Sequence, residues 1–306
     1  MTGLAADPVC KEHLTGRQHP EQPARFDAAV GALHDLKLVP IPPRLANHDE
    51  LALCHSRQYI QLAEREILEG FHELSTGDTY VSPKSLDAAL RSTGGALNAI
   101  DAIVEKRISN AISIGRPPGH HATPVRGMGF CIFNTVAIAA RYAQKKHGIG
   151  RVLIADWDVH HGNGTQDIFY TDGTVFFFST HQSPWYPGTG ARNERGEGAG
   201  EGMTLNCPFP AGAGRKEILG AFEEQLIAKA EEVKPELILV SAGFDSRAGD
   251  PLGQFLLTDA DFTDLTHAMR EIADQHAGGR LLSVLEGGYN LTGLAAGVRA
   301  HVEAMQ

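Results

Sequence analysis

Several features that would define other protein classes are missing from this sequence of 306 residues. It has only four cysteines, which are far apart and form no CxxC pair: Cys10, Cys54, Cys131 and Cys207. This spacing predicts neither a disulfide framework nor a thiolate metal site. A reducing cytoplasm is therefore the setting that the cysteines favour.

Long apolar runs and an excess of basic residues are also absent. No apolar stretch reaches the ~18 residues that a membrane-spanning helix needs, and no apolar segment of the signal-peptide type stands near the N-terminus. The formal net charge is −10, whereas proteins that bind nucleic acids carry a basic stripe. We therefore expect neither a membrane span nor a nucleic-acid partner, and the acidic balance is compatible with cationic substrates.

The motifs of three common enzyme classes are missing as well. The sequence contains no P-loop, no G-x-G-x-x-G after a predicted strand and no G-x-S-x-G. Chemistry that depends on a phosphate-binding loop, a dinucleotide or a serine at a nucleophile elbow is therefore not indicated.

What is present is an α/β pattern in a chain that is 42% hydrophobic and 21% charged. Apolar runs of strand length alternate with helical periodicities, which predicts a mostly parallel sheet with helices on both faces. The length allows one large domain or two small ones. We predict a single domain over residues 1–306, because the strand endings described next are spread over most of the chain.

Four apolar runs end in polar, chemically active residues. The runs and their endings are 111–114 before 115–121, 152–155 before 156–164, 236–241 before 242–245, and 281–285 before 286–290. In an open parallel sheet the ligand site lies at the carboxyl ends of the strands. We therefore predict that the four endings converge on one site.

The ending after residues 152–155 carries a metal-ligand pattern. Alternate residues of a strand share a face, so Asp156, Asp158 and His160 would point the same way. Carboxylate and imidazole suit zinc, whose catalytic sites take three protein ligands and leave one position open. Asp158 and His160 are two predicted ligands, and Asp245 is the third. The competing interpretation is that these residues only cap and turn the chain.

Two adjacent histidines, His120 and His121, stand in a loop rich in glycine and proline. One imidazole of such a pair can accept a proton from the attacking water, while the other stays charged and stabilises an oxyanion. Asp156 is the predicted carboxylate that orients one of them. Tyr289 could donate a phenol hydrogen bond to a carbonyl oxygen. Together these residues indicate metal-assisted hydrolysis of an amide.

Capping residues and periodicity predict the helices and one long loop. Ser82, as N-cap, with Pro83 at the first helical position predicts the start of a long helix. Residues 181–215 show no periodicity, which predicts a long functional loop. Other helices are predicted over about 26–36, 56–69, 134–147, 216–233 and 258–276.

At these residues the chain resembles the arginase/deacetylase superfamily, and within it the histone deacetylases of class II. Eight motifs match in order: His19-Pro20-Glu21, His55-Ser56-x-x-Tyr59, residues 116–121, residues 129–131, residues 156–164, residues 187–190, residues 241–245 and residues 285–289. The resemblance implies a three-layer α/β fold with about eight strands.

The resemblance also implies a role for each site residue. Zinc would bind Asp158, His160 and Asp245, and His121 would be the general base and acid with His120 as its electrostatic partner. Asp156 would orient His120, Asn163 would be the neutral partner of His121 that is usual in class II, and Tyr289 would bind the oxyanion. A structural potassium ion is implied near Asp156, Asp158, His160, Ser179 and Thr180.

Substrate binding is implied at seven positions: His19, Pro20, Asp78, Gly129, Phe130, Tyr186 and Leu252. Phe130 and Tyr186 would wall an apolar tunnel for the acyl-lysine stem, although many relatives have phenylalanine in place of Tyr186. Polyamine-selective relatives carry a glutamate gatekeeper where this chain has Leu252. A leucine cannot pair with a distal ammonium, so acetylated lysine side chains are the favoured substrate.

Three alternatives stay open beside a zinc-dependent ε-N-acetyl-lysine deacylase. The nearest is an acetylpolyamine amidohydrolase, which shares every catalytic part. A ureohydrolase with two manganese ions would need further ligands, and a non-catalytic acyl-lysine binder would not need paired histidines. The sequence leaves open the physiological substrate, the acyl-chain preference, zinc or iron(II) as the metal, and whether the protein is a homo-oligomer.

Overall fold

Eight strands form one sheet in a computed structural model that describes residues 1–306. The strands are β1 (Thr2–Ala5), β2 (Val39–Pro40), β3 (Asn110–Ser113), β4 (Val152–Asp156), β5 (Val175–Gln182), β6 (Thr204–Phe209), β7 (Leu237–Ala242) and β8 (Leu281–Leu285). Their order in the sheet is β2-β1-β3-β8-β7-β4-β5-β6, and every pairing is parallel. The predicted fold class is confirmed, with a sheet that is wholly rather than mostly parallel.

Ten α-helices flank this sheet. They are α1 (Ala24–Gly31), α2 (His48–Leu51), α3 (Arg57–Leu68), α4 (Ser85–Val104), α5 (Thr135–His147), α6 (Asn163–Phe169), α7 (Arg215–Ala221), α8 (Ile227–Val233), α9 (Asp259–His276) and α10 (Leu291–Met305). A π-helical segment, Phe222–Leu226, joins α7 to α8. None of these helices combines the length and the apolar character that crossing a membrane requires.

The sheet separates two apolar layers of 39 buried residues each. Successive residues of β4 alternate between them, so that Ile154 belongs to one layer and Leu153 to the other. Every residue of β3, β4, β7 and β8 is buried. Strands covered on both faces read as continuous apolar runs, which is why the sequence showed these four so clearly.

The carboxyl ends of the central strands meet at one edge of the sheet. Asp156 at the end of β4 is paired with Ser241 of β7, which in turn is paired with Val284 of β8. β3 pairs with β8 on the other side. The predicted convergence of the four strand endings is therefore confirmed, and it places the site described below.

Three of the predicted helix starts agree with the caps observed. The Ser56 side chain accepts from the Tyr59 amide at the start of α3, and the Asn134 side chain accepts from the Ala137 amide at the start of α5. Thr258 and Asp261 form the capping box of α9. These side chains satisfy amide groups that have no partner within their helices.

The predicted start at Ser82 is wrong. Helix α4 begins at Ser85, and the Ser82 hydroxyl accepts from the amide of Leu14, 68 positions earlier in the chain. Ser82 also lies in a tighter turn, because its carbonyl accepts from the Ser85 amide. A tertiary contact thus occupies the hydroxyl that would have capped the helix.

The predicted loop over residues 181–215 is wrong in part, since it contains β6. This strand lies at the edge of the sheet, and Pro208 is tolerated there because an edge strand leaves one side of its backbone unpaired. The prediction also omitted β1, β2, α2, α6 and α10. The two missed strands have four and two residues, too few for a periodicity to appear.

Candidate metal centre and active site

Three buried side chains meet where β4 and β7 end. Donor atoms of Asp158, His160 and Asp245 all lie within 4.8 Å of one another. His160 Nδ1 is 3.0 Å from Asp158 Oδ1 and 3.2 Å from Asp245 Oδ2. The three residues predicted as ligands are thus brought together by the fold.

Strand alternation is not what brings them together. Strand β4 ends at Asp156, so Asp158 and His160 lie in the loop that follows it. The amides of Asp158 and His160 donate to the carboxylates of Asp156 and Asp158, at 3.0 and 2.9 Å. These hydrogen bonds fold the loop back on itself, and Asp156 faces His120 rather than the ligand group.

The donor set fits a divalent cation. Asp245 Oδ2 is buried and has no hydrogen-bond partner, while Oδ1 accepts from the Val159 amide at 2.9 Å. Burial and then the charge of Asp158 raise the pKa of Asp245 to about 7. Two buried carboxylates beside one imidazole carry an excess of negative charge, which a bound cation would neutralise. Oxygen and nitrogen donors in this number suit zinc.

Gly287 gives the two carboxylates their room. A Cβ atom at this position would lie 2.1 Å from Asp245 Oδ2 and 2.6 Å from Asp158 Oδ2. The Gly287 amide donates to Asp158 Oδ2 at 2.8 Å. Only a glycine lets the backbone approach this closely.

His120 and His121 lie beside the metal-ligand group, with ring centroids 4.0 Å apart. His120 Nδ1 is 2.9 Å from Asp156 Oδ2. His121 Nδ1 is 2.8 Å from Asn163 Oδ1, an amide oxygen that can only accept. His121 Nδ1 therefore carries the proton, which leaves Nε2 with a free lone pair.

The surroundings of the two histidines push their pKa values apart. Burial disfavours a charge on His120, but the carboxylates of Asp156 and Asp158 outweigh it and raise the pKa of His120 to about 10. Burial, together with the charge of His120, holds the pKa of His121 well below its usual value. These surroundings favour the charged form of His120 and the neutral form of His121.

A cavity of about 230 Å³ leads to this group from the surface. Its lining residues are Asp78, His121, Gly129, Phe130, His160, Trp185, Tyr186, Leu252 and Tyr289. Phe130 and Tyr289 meet edge to face with centroids 6.0 Å apart, and Tyr186 meets His121 at 5.2 Å. The walls are largely aromatic and the floor is polar, as in sites that hold an apolar chain with a reactive end.

Five of the seven predicted substrate-binding residues line this cavity, and His19 and Pro20 do not. His19 packs against Phe130, with ring centroids 4.7 Å apart. Tyr186 carries a hydroxyl that donates to Asp78 Oδ1 at 3.3 Å, and the Gly129 amide donates to the same oxygen at 2.7 Å. Asp78 is thereby held at the mouth of the cavity.

A buried ionic group beneath the site was not assigned from the sequence. Glu21 accepts from Arg116 Nε and Nη2, both at 2.6 Å, and from Arg25 Nη1 at 2.9 Å. Arg25 also donates to the backbone oxygens of Glu286 and Gly288, and its guanidinium lies 4.8 Å from the centroid of the Tyr289 ring. Glu21 and Arg116 both belong to motifs named in the sequence analysis. Their opposite charges were the signal from which this ion pair could have been predicted.

The residues of the implied potassium site are adjacent. Asp156 and Ser179 are paired across β4 and β5, and Thr180 follows. The Ser179 hydroxyl is 2.9 Å from His181 Nδ1, and both Asp156 oxygens already accept hydrogen bonds. A cation there stays a prediction.

Comparison with known proteins shows which family this chain matches. Residues 19–305 match the family described as Histone deacetylase domain. The chain is 42% identical to Histone deacetylase 10, chloroplastic, of Oryza sativa subsp. japonica over 92% of this chain and 68% of that one. It is 37% identical to a Probable deacetylase of Archaeoglobus fulgidus, over 96% and 82% of the two chains.

Two further comparisons bear on substrate and fold. Polyamine deacetylase HDAC10 of Homo sapiens is 38% identical over 93% of this chain, which corresponds to 44% of that protein. A crystal structure of the HDA15 HD domain superposes with a TM-score of 0.93 at 34% identity, covering 99% of this chain and 88% of that one.

Proposed function

Because the chain belongs to the histone deacetylase family, we propose that it is a zinc-dependent deacylase that hydrolyses ε-N-acetyl-lysine in proteins or peptides. The observation that carries the proposal is the cavity that ends at the metal-ligand group and the histidine pair. Its aromatic walls suit the methylene stem of an acylated lysine, and its floor holds every group that amide hydrolysis needs.

Asp158, His160 and Asp245 would hold the zinc ion. Bound there, zinc would polarise the amide carbonyl and lower the pKa of the attacking water toward neutrality. His121 Nε2, with Nδ1–H fixed on Asn163, would take the proton from that water and deliver it to the leaving amine. His120, a cation paired with Asp156, would stabilise the negative charge that develops.

Tyr289 would donate its phenol hydrogen bond to the carbonyl oxygen. Burial raises the pKa of Tyr289 well above its usual value, although Arg25 acts in the opposite direction, so the phenol stays protonated at neutral pH. A protonated phenol can donate to an oxygen that becomes more negative in the transition state. Phe130 and Tyr186 would flank the methylene stem of the substrate.

An acetylpolyamine amidohydrolase is the second candidate, and the relative named a polyamine deacetylase favours it. Leu252 on the cavity wall argues the other way, since a distal ammonium would find no carboxylate at that position. Asp78 at the mouth is a carboxylate that either substrate could use. Both candidates share the same chemistry and differ in the group that must be held at the rim.

The test is a comparison of kcat/KM for an acetyl-lysine peptide and for acetylputrescine with the zinc-loaded protein. We expect the peptide to be preferred. A preference for the diamine would make the polyamine amidohydrolase the correct reading and would assign specificity to the rim loop rather than to Leu252. Absence of turnover on both would contradict the proposed deacylase.

Leu252→Glu is expected to shift the preference toward acetylputrescine by about 10-fold or more in the ratio of kcat/KM values, because a carboxylate at a partly desolvated rim attracts an ammonium. Leu252→Gln is the control, because glutamine is similar in size to glutamate but carries no negative charge. The two ratios are measured by the same competition assay. Equal shifts for Glu and Gln would show that size, and not charge, sets the preference.

The proposal also includes a potassium ion bound by Asp156, Ser179 and Thr180. It further includes a cytoplasmic location, because all four cysteines are free thiols, which fits a reducing compartment. Dependence of the melting temperature on potassium against sodium chloride at equal ionic strength would test the potassium site.

A further inference from the structure

Glu286 is a buried carboxylate to which the mechanism gives no role. It follows β8 directly and is 0% exposed. Its Oε2 accepts from the backbone amides of Gly119 at 2.7 Å and His120 at 3.1 Å, and its Oε1 accepts from the Ser241 hydroxyl at 3.3 Å. The carboxylate therefore joins the loop of the histidine pair to the ends of β7 and β8.

These contacts fix two consecutive peptides, Pro118–Gly119 and Gly119–His120, which lead directly into the histidine pair. Their orientation sets the course of the backbone from which both imidazoles project. Each ring must meet a fixed partner, Asp156 for His120 and Asn163 for His121, at 2.9 and 2.8 Å. A displacement of about 1 Å in such a pair can cost on the order of 100-fold in rate.

Other hydrogen bonds hold the carbonyl groups of this loop, since the Ala122 amide donates to the Gly119 oxygen at 3.0 Å and the Thr165 amide donates to the His120 oxygen at 3.1 Å, whereas Glu286 is the acceptor for its amide groups. Gly119 lies against the start of α5, where a Cβ atom would stand 2.8 Å from the Thr135 amide. The two adjacent buried amides need an acceptor, and one carboxylate oxygen serves both. The opposite end of Glu286 is anchored as well, because its backbone oxygen accepts from Arg25 Nη2 at 2.5 Å.

Glu286 has no ion-pair partner. Its hydrogen-bond donors are two amides and one hydroxyl. Burial raises the pKa of Glu286 to about 7, and the positive charge of His120 acts in the opposite direction. Burying a carboxylate costs free energy of folding unless hydrogen bonds or an opposite charge compensate for the lost hydration.

We propose that Glu286 is a positioning residue for the histidine pair, which acts by holding the two consecutive amides of Gly119 and His120 through hydrogen bonds to one carboxylate oxygen. The inference rests on the proposed function, because the histidine pair is where that function places the proton transfer. Reach, rather than charge, is the property that matters: an acceptor must stand at the position of Oε2.

The experiment compares Glu286→Gln, Glu286→Asp and Glu286→Ala. Glutamine places an amide oxygen at the same reach, so kcat should stay within about 5-fold of wild type, whereas alanine should lower kcat by about 100-fold with KM within about 3-fold. Aspartate keeps the charge but is one carbon shorter, and it should lower kcat by at least about 10-fold. Zinc content should be unchanged in all three.

Asp261→Ala is the matched control. Asp261 is also a buried carboxylate that accepts one backbone amide and one hydroxyl, both from Thr258 at 2.8 Å, but it also accepts from Arg215 Nη1 at 2.7 Å and caps α9 outside the site. It should lower the melting temperature and leave kcat near that of wild type. If Glu286→Ala and Asp261→Ala lower kcat equally, or if aspartate restores more activity than glutamine, the positioning role is overturned.

A second readout does not need turnover. The Nδ1–H of His121, held by Asn163, should give a protected imidazole N–H signal in the NMR spectrum of the zinc-loaded protein. We expect the signal in wild type and Glu286→Gln and its loss in Glu286→Asp. Retention in Glu286→Asp would refute the inference, and an inactive wild type that shows the expected pattern would contradict the proposed function alone.

Discussion

Asp245→Asn is expected to remove bound zinc and catalytic turnover together. Asparagine keeps the oxygen that accepts from the Val159 amide but removes the negative charge and one metal-binding oxygen. Metal polarisation is worth several kcal/mol of barrier, and each 1.36 kcal/mol is tenfold in rate, so kcat/KM should fall by about 1,000-fold or more. Metal content by mass spectrometry and turnover on the preferred acetylated amine measure the two losses.

Thermal unfolding separates loss of metal from loss of fold. In wild type, zinc should raise the melting temperature, because a ligand that binds only the folded state stabilises it. In Asp245→Asn, zinc should leave it unchanged, and the metal-free variant should be at least as stable as metal-free wild type, since one of two converging buried carboxylates is neutralised. A variant that still binds one zinc with wild-type affinity would remove Asp245 from the ligand set.

His121→Ala is expected to lower kcat by about 100- to 10,000-fold, the range that general acid–base catalysis supplies. Unlike Asp245→Asn, it should retain zinc, because His121 is outside the group of three ligands. KM should change little, since the cavity is otherwise intact. The measurements are steady-state kinetics and metal content on the same preparation.

His147→Ala is a suitable control for that variant. His147 is a partly exposed histidine at the end of α5. It pairs with Asp101, which does not line the cavity. Its replacement should leave kcat near that of wild type. If His121→Ala kept kcat within about 10-fold of wild type, the proton transfer would have to be assigned to another group.

Much of the site could be predicted because its residues follow continuous apolar runs. Strands buried on both faces are legible in a sequence, and the rule that ligands bind at the carboxyl ends of parallel strands joins residues that are far apart in the chain. Asp158 and Asp245 are separated by 87 positions, yet both follow such strands and their donor atoms meet. The histidine pair was recognisable for the same reason, in the loop that follows β3.

The errors fall where a tertiary contact overrides a local signal. Ser82 has the composition of an N-cap, but its hydroxyl binds the backbone of Leu14. The edge strand β6 lacks an apolar run because only three of its six residues are buried. Alternation was expected to put Asp156, Asp158 and His160 on one face of a strand, but the strand ends at Asp156. The contact of Asp156 with His120 is the one that the resemblance implied.

From the sequence by itself we could predict the fold class, the metal-ligand set and the catalytic histidines. Each of these depends on residue type and on position after a strand. Only the tertiary structure decided which nitrogen of His121 faces Asn163, which carboxylate lies beside His120, and what Glu286 holds in place. Those properties depend on distances of about 3 Å between groups remote in the chain, and hydrogen bonds and buried charges are sensitive to such distances. No local pattern of residues encodes them.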